Sequence, residues 1–429
     1  MVKTIKVCMT GDSFITMSQS VHEEPRFLDM VDLIRSSDVA YTNLEMTLHN
    51  YEGYPAAQSG GTWTRADPCL VEDLKWMGFN IISTANNHSL DYMYEGLFST
   101  IGHLDAAGIP HSGTGADLAE ARQPAFLELG AGRVALISAS SSFAPFGMAG
   151  YARRDLNGRP GLNPLRYNTY YTVKKEHVEA LKEISKAMRF PEAAQPEGEF
   201  SFLRNRFVVG EPVGAHTEPH KGDMEGNLES IRYASRQADW VFFSLHAHEG
   251  RTENPDKPAE FVETFARACI DAGAHALIGH GPHLLKGIEI YKDRPILYSL
   301  GNFIFQNDTV LKMPADFYEQ YGLDPYSGTP ADAFDARERG RPGSQSRWFT
   351  KDNKYWRSVI AMAQFEDDKL LELRLFPLTL GQESPRSQRG RPMLAEPEEA
   401  TQILETLKKL SEPYGTKIRV EEGVGIVKT

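Results

Sequence analysis

The chain has 429 residues, and 46 Lys and Arg against 58 Asp and Glu leave a formal net charge of -12. At about 100 to 200 residues per domain, that length allows two or three units, or one α/β layer enlarged by long insertions. A hydrophobic share of 41% with 24% charged residues excludes a wholly disordered chain, and the acidic balance argues against nucleic acid or an anionic bilayer as partner, since both need a basic footprint.

Cys8, Cys69 and Cys269 are odd in number, far apart and without a CxxC pair. Neither a disulfide framework nor a thiolate zinc knuckle is indicated, and a reducing compartment is expected. The first ten residues run straight into an apolar segment ending at Gly11-Asp12, with no room for a signal peptide. No stretch approaches the roughly 18 apolar residues of a membrane span. A cytoplasmic protein is the expectation.

Short β-branched runs alternate with helical patterns, as in an α/β sheet with covering helices. In chain order, strands are predicted over residues 5–9, 39–42, 80–84, 134–138, 240–245, 274–278 and 295–299. Helices are predicted over 25–35, 68–77, 92–107, 227–237 and 258–272, and Pro25, Pro68 and Pro258 stand at a favoured first helical position. Residues 358–365 and 370–378 flank Glu366-Asp367-Asp368-Lys369 and read as an antiparallel hairpin, followed by a helix over 398–410. Two stretches interrupt this rhythm. Residues 142–224 begin rich in Gly, Pro and Arg and hold a helix near 174–188, and residues 306–357 are polar and loop-like. Loops of this length are commonly lids or binding elements.

Candidate ligands collect where these strands end. Asp12 follows the first strand, Glu45 the second, and Asn87 and His88 the third; His246 and His248 end or follow another, and His280 and His283 the next. In open α/β sheets the carboxyl edge of parallel strands is where ligand sites form. Carboxylate, amide and imidazole donors without sulfur suit Mn, Zn or Fe, as one or two divalent ions. Such a set leaves a position for water whose pKa the metal lowers, and His88 can exchange a proton during bond cleavage. Asp91, three residues on, is grouped with His88 as a second catalytic candidate. Singly, Asp12 also reads as a turn residue, Asn87 as a turn-shaping amide and His88 as a satisfied partly buried histidine. His246 and His248 point to opposite faces if the strand continues and converge only if it has ended. Arg153, Arg154, Arg166 and Arg347 read either as solvated charges or as a clamp on an anionic substrate. His216 is a further substrate-binding candidate, and with His220 it can also approach the metal.

The segments Gly11-Asp12, Asn43-Leu44-Glu45, Ala85-Asn86-Asn87-His88, Gly279-His280-Gly281-Pro282-His283 and Tyr298-Ser299-Leu300-Gly301-Asn302-Phe303 together resemble the poly-gamma-glutamate capsule synthesis protein (CapA) family, a branch of the calcineurin-like metallophosphoesterase superfamily. The resemblance covers residues 5 to 305. It implies a four-layer α/β/β/α sandwich around a metal centre, with Asp12, Glu45, Asn87, His246, His280 and His283 at ligand positions and His88 at that of the superfamily's acid histidine. Three departures stand out: Asp12 is followed by Ser13-Phe14 rather than x-His, Glu45 replaces the usual Asp, and His-x-x-His replaces His-x-His. One metal, or a second completed by His248 or Glu249, are both compatible. The expectation is one catalytic domain over residues 1–429 with insertions 142–224 and 306–357. It hydrolyses an amide or gamma-glutamyl C–N bond in a small carboxylate-bearing substrate. A phosphomonoesterase or phosphodiesterase and a non-catalytic capsule-assembly protein are the alternatives, and homo-oligomerisation is left open.

Overall fold

A computed structural model describes residues 2–190, 195–340 and 351–428. Its organising feature is a pair of large sheets, and the strands that matter for the site are β1 (Thr4–Phe14), β2 (Val39–Leu44), β3 (Ile81–Ser83), β4 (Gly132–Ser140), β5 (Trp240–His246), β6 (Ala276–His280), β7 (Asn302–Phe305), β8 (Arg357–Glu366) and β9 (Lys369–Thr379). In the first sheet β1 pairs in parallel with β2 and β7, β2 with β3, and β1 in antiparallel fashion with β8, the first strand of the expected hairpin. In the second, β4, β5 and β6 run parallel.

Alternation along these strands sends successive side chains to opposite faces. Val7 and Met9 of β1 pack with Trp240 and Phe242 of β5 in one apolar cluster joining the two sheets. The intervening residues turn outward: Cys8 packs with Phe27, Met30, Val31 and Ile34 of the helix Pro25–Arg35, and Val241, Phe243 and Leu245 pack with Phe261, Phe265 and Cys269 of the helix Glu260–Asp271. Strands buried on both faces read as near-continuous apolar runs, which is why β5 is legible as Trp-Val-Phe-Phe-Ser-Leu.

The helix Pro25–Arg35 begins and ends where its proline and periodicity place it. The expected helix over 227–237 begins earlier, at Lys221, because the His220 side chain accepts the Asp223 amide at 3.2 Å and caps it. The first strand is longer than expected. It continues to Phe14, with register shifts on both sides of Asp12, so Asp12 lies in an irregular stretch inside the strand rather than beyond it. Residues 302–305, outside the predicted strands, form β7.

The described residues of the two interruptions also form regular elements. Within residues 142–224, strands Tyr167–Val173, Glu199–Phe202, Asn205–Val209 and Gly214–Pro219 form their own sheet beside the helix Lys175–Ala187. Residues 306–357 carry helices Ala315–Gln320 and Pro330–Arg339 rather than plain loop, seated through Phe317, Tyr321 and Phe334 against Trp63 and Tyr92. Among the described residues, no helix is long and apolar enough to cross a membrane.

Candidate metal centre

Register sets the site. Across the first sheet Asn302, Asp12, Asn43 and Ser83 fall in one row, and across the second Ser140, His246 and His280 fall in another. The close approach between β1 and the chain before β7 requires glycine at position 11, where an added Cβ would lie 1.8 Å from the Gly301 carbonyl oxygen.

Asp12, His246 and His280, all buried, bring one ligand atom each to a common point. Asp12 Oδ1 lies 3.0 Å from His280 Nδ1 and 3.6 Å from His246 Nδ1, and the two imidazole nitrogens are 3.1 Å apart. Zn–N bonds of about 2.0–2.1 Å in a tetrahedron separate ligands by about 3.3–3.4 Å, so this triangle has the size of a coordination face. A second group is formed by Glu45, His248 and His283. His246 joins the two, because its Nε2 lies 2.9 Å from His248 Nε2 and 3.6 Å from Glu45 Oε1. The strand therefore ends at His246, and the loop beyond it lets both histidines converge.

Neighbours fix how each group points. Asn43 Nδ2 and the Gly281 amide each donate to Asp12 at 2.9 Å. His280 Nε2 faces Ser244 Oγ at 2.8 Å and Tyr41 Oη at 3.1 Å, leaving Nδ1 for the cluster. His283 Nδ1 faces Asn302 Oδ1 at 2.9 Å. For His280, this is the usual support of a histidine ligand, a hydrogen bond at the nitrogen turned away from the cluster. We therefore expect Ser244→Ala combined with Tyr41→Phe to weaken metal affinity by about 10- to 100-fold, measured by competition with a chelator, without loss of folding.

Electrostatics test whether a cation fits. Burial by itself raises the Asp12 carboxyl, but His280 and His246 override it and hold it well below the carboxylate range. Burial, with Asp12 and Asp91 beside it, pushes Glu45 well above its ordinary value. Neither Glu45 oxygen has a hydrogen-bond partner, nor does the buried Asn87 Oδ1. Burial also pushes His246 down to about 4 and lowers His248 and His283, which favours the neutral imidazole in all three. Buried oxygens without donors, facing neutral imidazoles, cost free energy that a cation would offset. The residues present fit a divalent metal.

His88 lies at the rim. Its Nδ1 faces Asp91 Oδ2 at 2.7 Å, and that oxygen also accepts the Thr64 amide at 2.6 Å. This leaves Nε2 turned toward Glu45 Oε1 at 4.0 Å. Gly60 makes room for Asn87, because an added Cβ would lie 2.0 Å from Asn87 Nδ2. Phe14 stands where the Asp-x-His pattern has its histidine, and its ring packs edge-on to His88 at 5.6 Å and near His283 at 5.7 Å.

Of the substrate-binding candidates, Arg153, Arg166 and His216 have partners away from the metal centre. Arg153 pairs with Asp155 at 3.0 Å on the surface, and Arg154 is exposed. Arg166 grips Asp223 through two nitrogens at 2.7 and 2.8 Å. His216 faces Glu260 at 3.1 Å, and His220 is the helix cap described above. Arg347 lies outside the described residues. Asn302, Tyr41 and Ser244 are the site residues that sequence reasoning missed. Asn302 carried a signal, standing in the Ser-Leu-Gly-Asn-Phe segment, whereas Tyr41 and Ser244 are ordinary strand residues.

The chain belongs to the bacterial capsule synthesis protein PGA_cap family, whose model matches residues 6–307. It is 38% identical over 424 residues to the uncharacterized protein y4sH of Sinorhizobium fredii (strain NBRC 101917 / NGR234), covering 97% of this chain and 92% of that protein. The capsule biosynthesis protein CapA of Bacillus anthracis is 26% identical over 309 residues, 70% of this chain and 60% of that one. A probable polyglutamine synthesis accessory protein of Mycobacterium tuberculosis (strain CDC 1551 / Oshkosh) is 30% identical over 272 residues, 63% of this chain and 56% of that one.

Proposed function

We propose that the chain is a metal-dependent hydrolase of a small-molecule amide or related C–N bond. In this reading residues 1–429 act as one catalytic domain, with insertions 142–224 and 306–357 as substrate-binding elements, and the two sheets with their outer helices form a four-layer α/β/β/α sandwich. The apolar cluster between the sheets and the helix-facing cluster behind each support that arrangement. Three free cysteines, two of them buried, support a reducing, cytoplasmic setting.

The observation that carries the reading is Glu45, a fully buried carboxyl with no donor to either oxygen, set among Asp12, His246, His280 and His283. Asp12, His246 and His280 would hold one ion, and Glu45, His248 and His283, with Asn87 beside them, a second. When bound, a divalent ion such as Mn, Zn or Fe supplies a Lewis acid and a water of lowered pKa. The residues supply the rest. Asp91 and Thr64 hold the His88 ring, so that its Nε2 passes a proton to the departing nitrogen as water adds its hydroxyl to the carbonyl carbon. Phe14 in place of a histidine takes one donor from the phosphoesterase pattern, and this favours C–N over phosphoester substrates.

The test is a panel of nitrophenyl phosphates, gamma-glutamyl amides and simple amides, with Mn, Zn and Fe supplied separately. Turnover of amides with any one metal is expected, and turnover of phosphates alone would overturn the reading.

A further inference from the structure

A cleft of about 230 Å³ opens beside the metal centre and is bordered by Asn87, Asp91 and His248. Its remaining wall combines the apolar side chains of Leu90, Phe143, Phe146 and Leu162 with the neutral polar groups of Gln58, Ser59 and Ser142. Among the described residues, no lysine or arginine lines it. A carboxylate placed there would meet Asp91 and give up its hydration with no cationic side chain in return, which is costly. An aromatic or branched alkyl group would cover the two phenylalanines and Leu162 and gain by the area it removes from water.

We propose that this cleft is the subsite for an uncharged apolar substituent next to the scissile bond, so that any carboxylate of the substrate lies on the opposite side of that bond. This rests on the hydrolase reading above and revises the expectation of an arginine-clamped anion. The volume limits the substituent to a single ring or short branched chain, since it falls below the roughly 300–1,000 Å³ of sites that enclose a whole drug-sized ligand. Phe143 and Phe146 lie in the stretch that opens the first insertion, so that part of the cleft wall belongs to the insertion rather than to the strands that carry the metal ligands.

Calorimetric titration of the metal-loaded full chain with three hydroxamates tests the subsite without requiring turnover: phenylacetohydroxamate, acetohydroxamate and the monohydroxamate of succinic acid. Metal content is measured on the same samples. The aromatic probe is expected to bind at least about tenfold more tightly than either of the others, the gain of burying one ring. Phe146→Ala is expected to remove that preference with metal content unchanged, and Phe143→Ala to reduce it, so the outcome does not hang on the folding of one variant. Equal affinities, tightest binding of the carboxylate probe, or no binding to protein that carries its metal would each overturn the subsite and leave the metal centre standing. Protein without metal would overturn both.

Discussion

Replacing His280 with alanine is expected to take the purified protein from stoichiometric metal to a trace, with turnover lost in parallel. His280 Nδ1 lies within 3.1 Å of both Asp12 Oδ1 and His246 Nδ1, and its other nitrogen is held by Ser244 and Tyr41. No other described contact offers Asp12 a histidine as near. Removing a hydrogen-bond partner of a metal ligand typically costs about 10- to 100-fold in affinity, and removal of the ligand itself should exceed that range. The substitution also empties space in a wholly buried position, so a thermal melt must accompany elemental analysis. A folded variant that still carries one equivalent of metal would remove His280 from the ligand set.

His88→Ala is expected to behave differently: full metal content, with turnover reduced by about 10²- to 10⁴-fold, the usual worth of a positioned proton donor. The distinction follows from geometry. His88 is absent from both ligand triads, its nearest carboxylate oxygen in the cluster is 4.0 Å away, and its Nδ1 is committed to Asp91. Asp91→Asn should give an intermediate loss, because the amide can keep the ring in place but no longer stabilises its charged form. Metal loss in His88→Ala would make His88 a ligand instead.

Glu45 and Asn87 follow parallel strands of the first sheet and His246 and His280 end parallel strands of the second, and the apolar runs of those strands make both carboxyl edges legible in the sequence. Asp12 was found for the same reason, although the irregular pairing that holds it inside β1 was not, since register shifts depend on partners at Asn43 and Asn302. The residues that escaped are those defined by pairing across distant chain. Tyr41 and Ser244 meet at 2.7 Å although 203 positions apart, and nothing local marks either as the support of His280. The partner of Arg166 in the first insertion escaped for a similar cause. The acid that occupies Arg166 sits 57 residues away on a helix whose start was placed too late. Tyr167–Val173, Tyr-Asn-Thr-Tyr-Tyr-Thr-Val, carried a strand signal that the surrounding Gly and Pro obscured.

The proposed hydrolase requires a metal ion between Asp12, His246 and His280. Anomalous diffraction from a crystal of the zinc-loaded protein measures this directly. It should show a peak about 2.0–2.2 Å from Asp12 Oδ1, His246 Nδ1 and His280 Nδ1. A zinc peak bound elsewhere, or none in protein that retains full turnover, would contradict it.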